Sequence, residues 1–198
     1  MRNLKEQLIM SQSSSISHWL KQFIALILLL WLPGISQASW PVQFGNENST
    51  NSVEVIVDSV VDSSGNTIIL GRFQGNISFT KADGSKSILN GLAGRDIFIA
   101  KYDSSGNYVW SQRILSSGSM DAYKIGIDAA DNIYTTGYSY REMTFSSITI
   151  QYGLFLAKLD SNGNWLWANR VQPEYIAGSI YSRAISLNVT GNSIYVSY

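Results

Sequence analysis

Asp96-Ile-Phe-Ile-Ala-Lys-Tyr-Asp-Ser-Ser-Gly-Asn-Tyr-Val-Trp110 recurs 57 residues later as Gly153-Leu-Phe-Leu-Ala-Lys-Leu-Asp-Ser-Asn-Gly-Asn-Trp-Leu-Trp167. Eight of the fifteen positions are identical, and at three more Ile or Val exchanges with Leu. Each copy places two apolar runs, rich in β-branched and aromatic residues, around a polar Asp-Ser-x-Gly-Asn. That is the composition of a β-hairpin: the aspartate bonds backbone amides ahead of it, and Gly-Asn tolerates positive φ. A second pattern runs out of phase with the first. Asp62-Ser-Ser-Gly-Asn-Thr-Ile-Ile-Leu-Gly71 returns as Asp128-Ala-Ala-Asp-Asn-Ile-Tyr-Thr-Thr-Gly137 after 66 residues, and a third copy starts at Asn188-Val-Thr-Gly-Asn192. The nine-residue difference between the two shifts falls between Gly71 and Asp96, so the first unit is expected to carry a longer loop at 81–95.

Strands are expected at 53–60, 66–73, 77–80, 96–102 and 108–114 in the first unit, and at 122–128, 132–139, 143–150, 154–159 and 165–171 in the second. Repeats of about 60 residues, each an antiparallel sheet, are blades of a β-propeller. The expected fold is therefore all-β: blades at 52–114 and 121–171, and the start of a third at 180–198. Trp40-Pro-Val-Gln-Phe44 lines up with Trp110-Ser-Gln-Arg-Ile114 and Trp167-Ala-Asn-Arg-Val171, so 40–51 reads as the outer strand of a closing blade and a linker. Propellers close with about four to eight blades. Two units and a fragment leave an open, incomplete ring, and the chain is expected to be part of a longer one.

The two motifs resemble the SBBP-type β-propeller repeat family of bacterial secreted and surface proteins, on D-x-x-G-N-x-x-x-x-G at 62–71 with its copies and on the stretch 96–110. The likeness covers residues 40–198 and departs from the pattern at Gly153, at Asp131 (in place of the turn glycine) and in the third copy, all of which bear on local turn geometry. The resemblance implies a propeller and an extracytoplasmic location, and transfers no catalytic residue. Ala100-x-x-Asp103-x-x-Gly106-x-x-x-Trp110 also resembles the tryptophan-docking element of quinoprotein propellers. That likeness implies packing of Trp110 and Trp167 between blades, not a cofactor.

The N-terminal segment reads as an export signal. A polar region with Arg2, Lys5 and Lys21 precedes the apolar run Phe23–Leu32, which Pro33-Gly34 breaks before the small residues Ser36 and Ala38. Ten apolar residues cover about 15 Å as a helix, half a hydrocarbon core, so a signal peptide at 1–38 is expected rather than an anchor. Met10 offers a second start. Beyond residue 38 the chain carries 11 basic and 13 acidic residues, which gives no electrostatic footprint for nucleic acid. No later segment is long and apolar enough to insert in a membrane. The sequence has no cysteine, and its one histidine, His18, lies in the signal. Disulfides, thiol chemistry, a Ser-His-Asp triad and His-ligated metals are thereby excluded from residues 39–198.

Four groups invite a functional reading. Asp160-Ser-Asn-Gly-Asn164 alternates oxygen donors as a calcium loop does, but lacks the later bidentate glutamate, so a hairpin turn is expected. Lys101 and Lys158 sit at equivalent places in apolar strands, suited to a ring of ammonium groups in a channel or, more simply, to a solvated face or a repeat-to-repeat ion pair. Asn48, Asn76 and Asn188 open N-x-S/T glycan acceptor patterns. Ligand-facing loops are expected at 81–95, 115–121 and 172–180. No catalytic, cofactor-binding or metal residue is nominated. The expected function is a non-catalytic secreted or periplasmic interaction module for a protein or carbohydrate ligand. The alternative is a piece of a secreted propeller enzyme, quinoprotein-like or carbohydrate-active, whose active residues lie elsewhere.

Overall fold

The computed structural model describes residues 44–45, 54–171, 186–191 and 193–197. The chain divides into two units, Met1–Gln37 and Ala38–Tyr198. The first, and with it the expected signal, lies outside the described residues, so only the second is described here.

The architecture is all-β and built of antiparallel repeats, β-propeller-like, with the ring not closed. The first blade comprises β2 (Val55–Val61), β3 (Thr67–Thr80), β4 (Lys86–Tyr102) and β5 (Tyr108–Ser116), paired in that order. The second comprises β6 (Met120–Ile127), β7 (Ile133–Ser139), β10 (Gly153–Leu159) and β11 (Trp165–Val171), again paired in chain order. Between β7 and β10 lies a small hairpin, β8 (Met143–Phe145) and β9 (Ile148–Ile150).

Alternation along the strands decides what each blade buries. Ile68, Leu70, Ile97 and Ile99 of the first blade pack with Ile125, Phe155, Ala157 and Leu159 of the second in one buried cluster. The opposite face of the first blade buries Ile69, Phe73, Phe79, Phe98 and Tyr102. Each unit repeats the same aromatic trio. Phe79 lies 5.7 Å from Phe98 and 5.6 Å from Tyr108, and Phe145 lies 5.3 Å from Phe155 and 4.9 Å from Trp165, centroid to centroid.

The blades are also joined by backbone. The tip of β5 pairs with β8, Leu115 opposite Thr144. A two-residue strand, β1 (Phe44–Gly45), pairs with β3, Gly45 opposite Ser78. Gly45 aligns with Leu115 and Ser78 with Thr144, so β1 meets the first unit in the register in which β5 meets the second. This agrees with the alignment of Phe44 to Ile114; residues 40–43 lie outside the described residues.

The structure corrects three expectations. Segment 81–95 is not a loop: 76–80 and 86–90 form a ribbon that prolongs β3 and β4. Asp83 Oδ1 accepts the Ser85 amide at 2.8 Å and Gly84 takes φ 81, which closes the ribbon tightly at Lys81–Ser85. The expected strand 143–150 is likewise two strands, turned at Ser146 with φ 56. In the third copy, β12 (Ser186–Thr190) and β13 (Ser193–Ser197) do form a hairpin, but Thr190 pairs with Ser193, whereas Val61 pairs with Thr67 across the five-residue turn of the first copy. Asn188 stands where the first copy has Asp62, and its carboxamide oxygen accepts the Thr190 hydroxyl at 3.1 Å.

Candidate functional site

Antiparallel order sends the connections of each blade to two opposite ends, and the two ends differ in chemistry. One end holds the turns Asp62–Asn66, Asp103–Asn107, Asp128–Asn132 and Asp160–Asn164. All four are built alike. In Asp160–Asn164, Asp160 Oδ1 accepts the amides of Asn162 and Asn164 at 2.9 and 2.8 Å, and Oδ2 accepts Asn164 Nδ2 at 2.9 Å. The carboxylate thus spends its oxygens on its own turn, the geometry of a hairpin. Burial works to raise the Asp160 and Asp103 carboxyls, but these amide donors outweigh it and hold both below the usual carboxylate range.

Asp131 keeps this turn without a glycine. It takes φ 59, as aspartate tolerates, and its amide donates to Asp128 O at 3.0 Å, as Gly65 does to Asp62 O. Its carboxylate then reaches the neighbouring blade, accepting Ser63 N at 2.9 Å and Ser63 Oγ at 2.5 Å. Asp131→Ala loses both bonds and keeps the strained φ, so it should cost about 1–2 kcal/mol in urea unfolding, and Asp131→Gly less than Ala. Equal loss in the two variants would remove the strain argument.

Lys101 and Lys158 each meet a carboxylate. Lys101 Nζ lies 2.8 Å from Asp62 Oδ2, with the two side chains 10% and 2% exposed, and Lys158 Nζ lies 3.5 Å from Asp128 Oδ2. The ion pair therefore lies within each repeat, a correction to the repeat-to-repeat reading, because the β4 and β10 lysines start one rung from their own blade's first turn. Lys101 also reaches the next repeat, at a carbonyl. Ser161 O accepts Lys101 Nζ at 3.2 Å and Trp110 Nε1 at 3.3 Å. The Trp110 ring packs on Gly163, where a Cβ would stand 2.9 Å from Trp110 Cδ2. Trp110 is thus an inter-blade contact. Trp167 meets Tyr134 of its own blade edge-on at 6.2 Å.

The opposite end is assembled from residues that differ between the repeats. Position 72 is Arg and its partner 138 is Tyr; likewise Gln74 and Tyr140, Arg95 and Tyr152, Asp96 and Gly153. In the first unit Arg72 Nη1 bonds Asp121 Oδ1 of the second blade at 2.6 Å, and Arg95 Nη2 lies 3.6 Å from the same oxygen. Asp96 is wholly buried, its Oδ2 accepting the Leu92 amide at 2.6 Å and its Oδ1 the Ser116 amide at 3.3 Å. Burial pushes its carboxyl above the ordinary value, against the pull of those two amides and of Arg113. In the second unit aromatic groups take these places: Tyr140 lies 5.0 Å from Tyr138, and Arg170 stacks over Tyr152. Of the expected ligand-facing segments, the ribbon 81–95 and the short connection 117–119 both belong to this end, and 172–180 lies outside the described residues. The tyrosines were not singled out from sequence. The signal was available in the mismatches at 138, 140 and 152 within otherwise matching repeats.

No family model matches the chain. A curated relative, an uncharacterized WD repeat-containing protein of Acanthamoeba polyphaga mimivirus, is 28% identical over 113 residues. The match covers 50% of this chain and 8% of that protein, so the chain spans less than a tenth of the relative's length. The chain is a β-propeller repeat protein. Among the described residues no three side chains of metal-ligating type come together.

Proposed function

We propose that this chain is a non-catalytic interaction module, secreted or periplasmic, of the SBBP repeat type and part of a longer propeller. The division of labour between the two ends carries the reading. One end repeats one five-residue turn, Asp-x-x-Gly-Asn with Asp131 once in the glycine's place, and turns the leading carboxylate of each inward on backbone amides. The other varies from repeat to repeat and leaves Tyr140 and Tyr152 about half exposed. Repeat scaffolds put ligands where repeats differ, since invariant positions are taken up by packing. Export rests on the tripartite pattern of residues 1–38. The relative's repeat character supports the scaffold reading, and neither export nor partner is taken from it.

A photo-crosslinking residue placed at Glu142, in the cell that makes the protein, should trap a partner. The same residue placed at Asn162, on the turn end, should trap none. Equal trapping from both, or trapping from Asn162 alone, would contradict the assignment of the binding face.

A further inference from the structure

The varied end of the second blade carries a platform that the fold does not require. β7 and β10 stop pairing at Ser139 and Gly153, and Tyr140 and Tyr152 are the next residues of the two chains beyond that last rung, 49% and 53% exposed. Gln151 Nε2 donates to Glu142 Oε2 at 3.2 Å and ties the two flanks together. None of Tyr138, Tyr140 and Tyr152 belongs to the buried clusters.

Gly153 shapes the other half. It stands where the first unit has Asp96 and takes φ 126, and a Cβ there would lie 3.0 Å from Arg170 Nε. The absent side chain leaves room for the Arg170 guanidinium to cross Gly153 and lie over the Tyr152 ring, 5.1 Å from its centroid. Its counterpart Arg113 takes another course and donates to the carbonyl of Asn90. The stem of Arg141 is held against Gly118, where a Cβ would come within 2.7 Å of Arg141 Cγ. One guanidinium, that of Arg170, therefore lies over one of the two exposed rings, and the one carboxylate, Glu142, is already engaged by an amide.

We propose that this platform binds an acidic polysaccharide, a chain of hexuronate rings that stack on Tyr140 and Tyr152 and pair a carboxylate with Arg170. The inference rests on the reading of the varied end as a binding face. A pyranose ring offers a flat C–H surface to an aromatic face and a rim of hydroxyls to Glu142, Gln151 and the tyrosine hydroxyls. Its carboxylate matches the planar guanidinium fork. Arg170 over Tyr152 is already desolvated on one face, which favours a planar anion over a hydrated one. A peptide has less to hold here. The large apolar side chains exposed on the platform are tyrosines alone, which suit the face of a sugar ring better than the mixed side chains of a peptide.

The full chain should be titrated with polygalacturonate, with dextran as the neutral polymer and poly-glutamate as the acidic peptide. Polygalacturonate is expected to bind at least tenfold more tightly than either. Tyr152→Ala and Arg170→Ala should each weaken it at least tenfold at unchanged melting temperature, and Arg170→Lys should weaken it nearly as much. Arg113→Ala, at the equivalent place in the first unit, should not. Failure to bind polygalacturonate, equal binding of dextran or of poly-glutamate, or indifference to Tyr152 and Arg170 would each overturn the proposal. Should crosslinking from Glu142 persist while polygalacturonate is not bound, the ligand class falls and the binding face stands. Loss of both overturns both.

Discussion

Gly71→Ala and Gly137→Ala should each destabilise the protein by about 3 kcal/mol, a large part of the roughly 5–15 kcal/mol that holds a domain of this size. These glycines end the repeated D-x-x-G-N-x-x-x-x-G pattern, and both sit in the middle of a central strand, where glycine is otherwise unfavourable. The reason is the ring across the strand. Gly71 pairs with Phe98 and Gly137 with Phe155, and each ring lies over the glycine of its partner strand. A Cβ at 137 would stand 2.7 Å from Phe155 Cε1 and 2.5 Å from Asp121 O; at 71 it would overlap the Phe98 ring and come within 2.8 Å of Val55 O. Both obstacles cannot yield together, since one is a wholly buried ring and the other is backbone of the inner strand, next to a bulge. Gly84→Ala is the contrast. It meets nothing within 4 Å and carries only the strain of φ 81, so about 1 kcal/mol is expected. Urea midpoints of the three variants measure the difference; losses at 71 and 137 no larger than at 84 would refute the steric account.

Those glycines mark how far the sequence could be read. Their recurrence was plain, and with it the repeat, the strand alternation and the all-β fold. What they make room for was not, because Phe98 and Phe155 lie 27 and 18 residues away along the chain and meet them only through strand register. The ribbon was missed for a different reason. Ala82-Asp83-Gly84-Ser85 carries a hairpin signal, but the flanking Lys86-Ser-Ile-Leu-Asn90 has one exposed face and too few apolar residues to register as a strand by itself. It is a strand because Ile77 and Phe79 opposite it are wholly buried. Asp131 shows the converse case, a departure from the motif that leaves the turn intact and adds a bond to Ser63. The tyrosine platform went unread because repeats advertise what they share, and binding residues are among the things they do not share.

Lys101→Met should cost about 3–5 kcal/mol at neutral pH, because it strips the cation from a carboxylate that is already buried. Asp62 keeps the amides of Ser64 and Asn66 and the side chain of Asn66, which lessen the loss without neutralising the charge. Lys158→Met should cost clearly less. Its pair is longer and more exposed, and the Tyr134 hydroxyl donates to Asp128 Oδ2 at 2.9 Å whether or not the lysine is present. The pH dependence follows from the carboxyls. Burial works to raise Asp62, but Lys101, the Asn66 side chain and the two amides overrule it and hold it at about 2. Asp128 is likewise held at about 2, against its burial, by Asn132, Tyr134 and the Ala130 amide. Both folded values lie below the unfolded one, so their stabilisation is complete above about pH 4–5 and is lost as pH falls toward about 2. Asp96 works the other way: its raised carboxyl favours the neutral form in the folded state, so it detracts from stability as pH rises through the unfolded value. The penalty of Lys101→Met should accordingly be full near pH 7 and shrink on acidification, since a protonated Asp62 no longer needs a cation. Urea unfolding at a series of pH values reads this directly. A penalty that stays constant from neutral pH down to about pH 2 would show that the lysine stem, and not its charge, holds the turn.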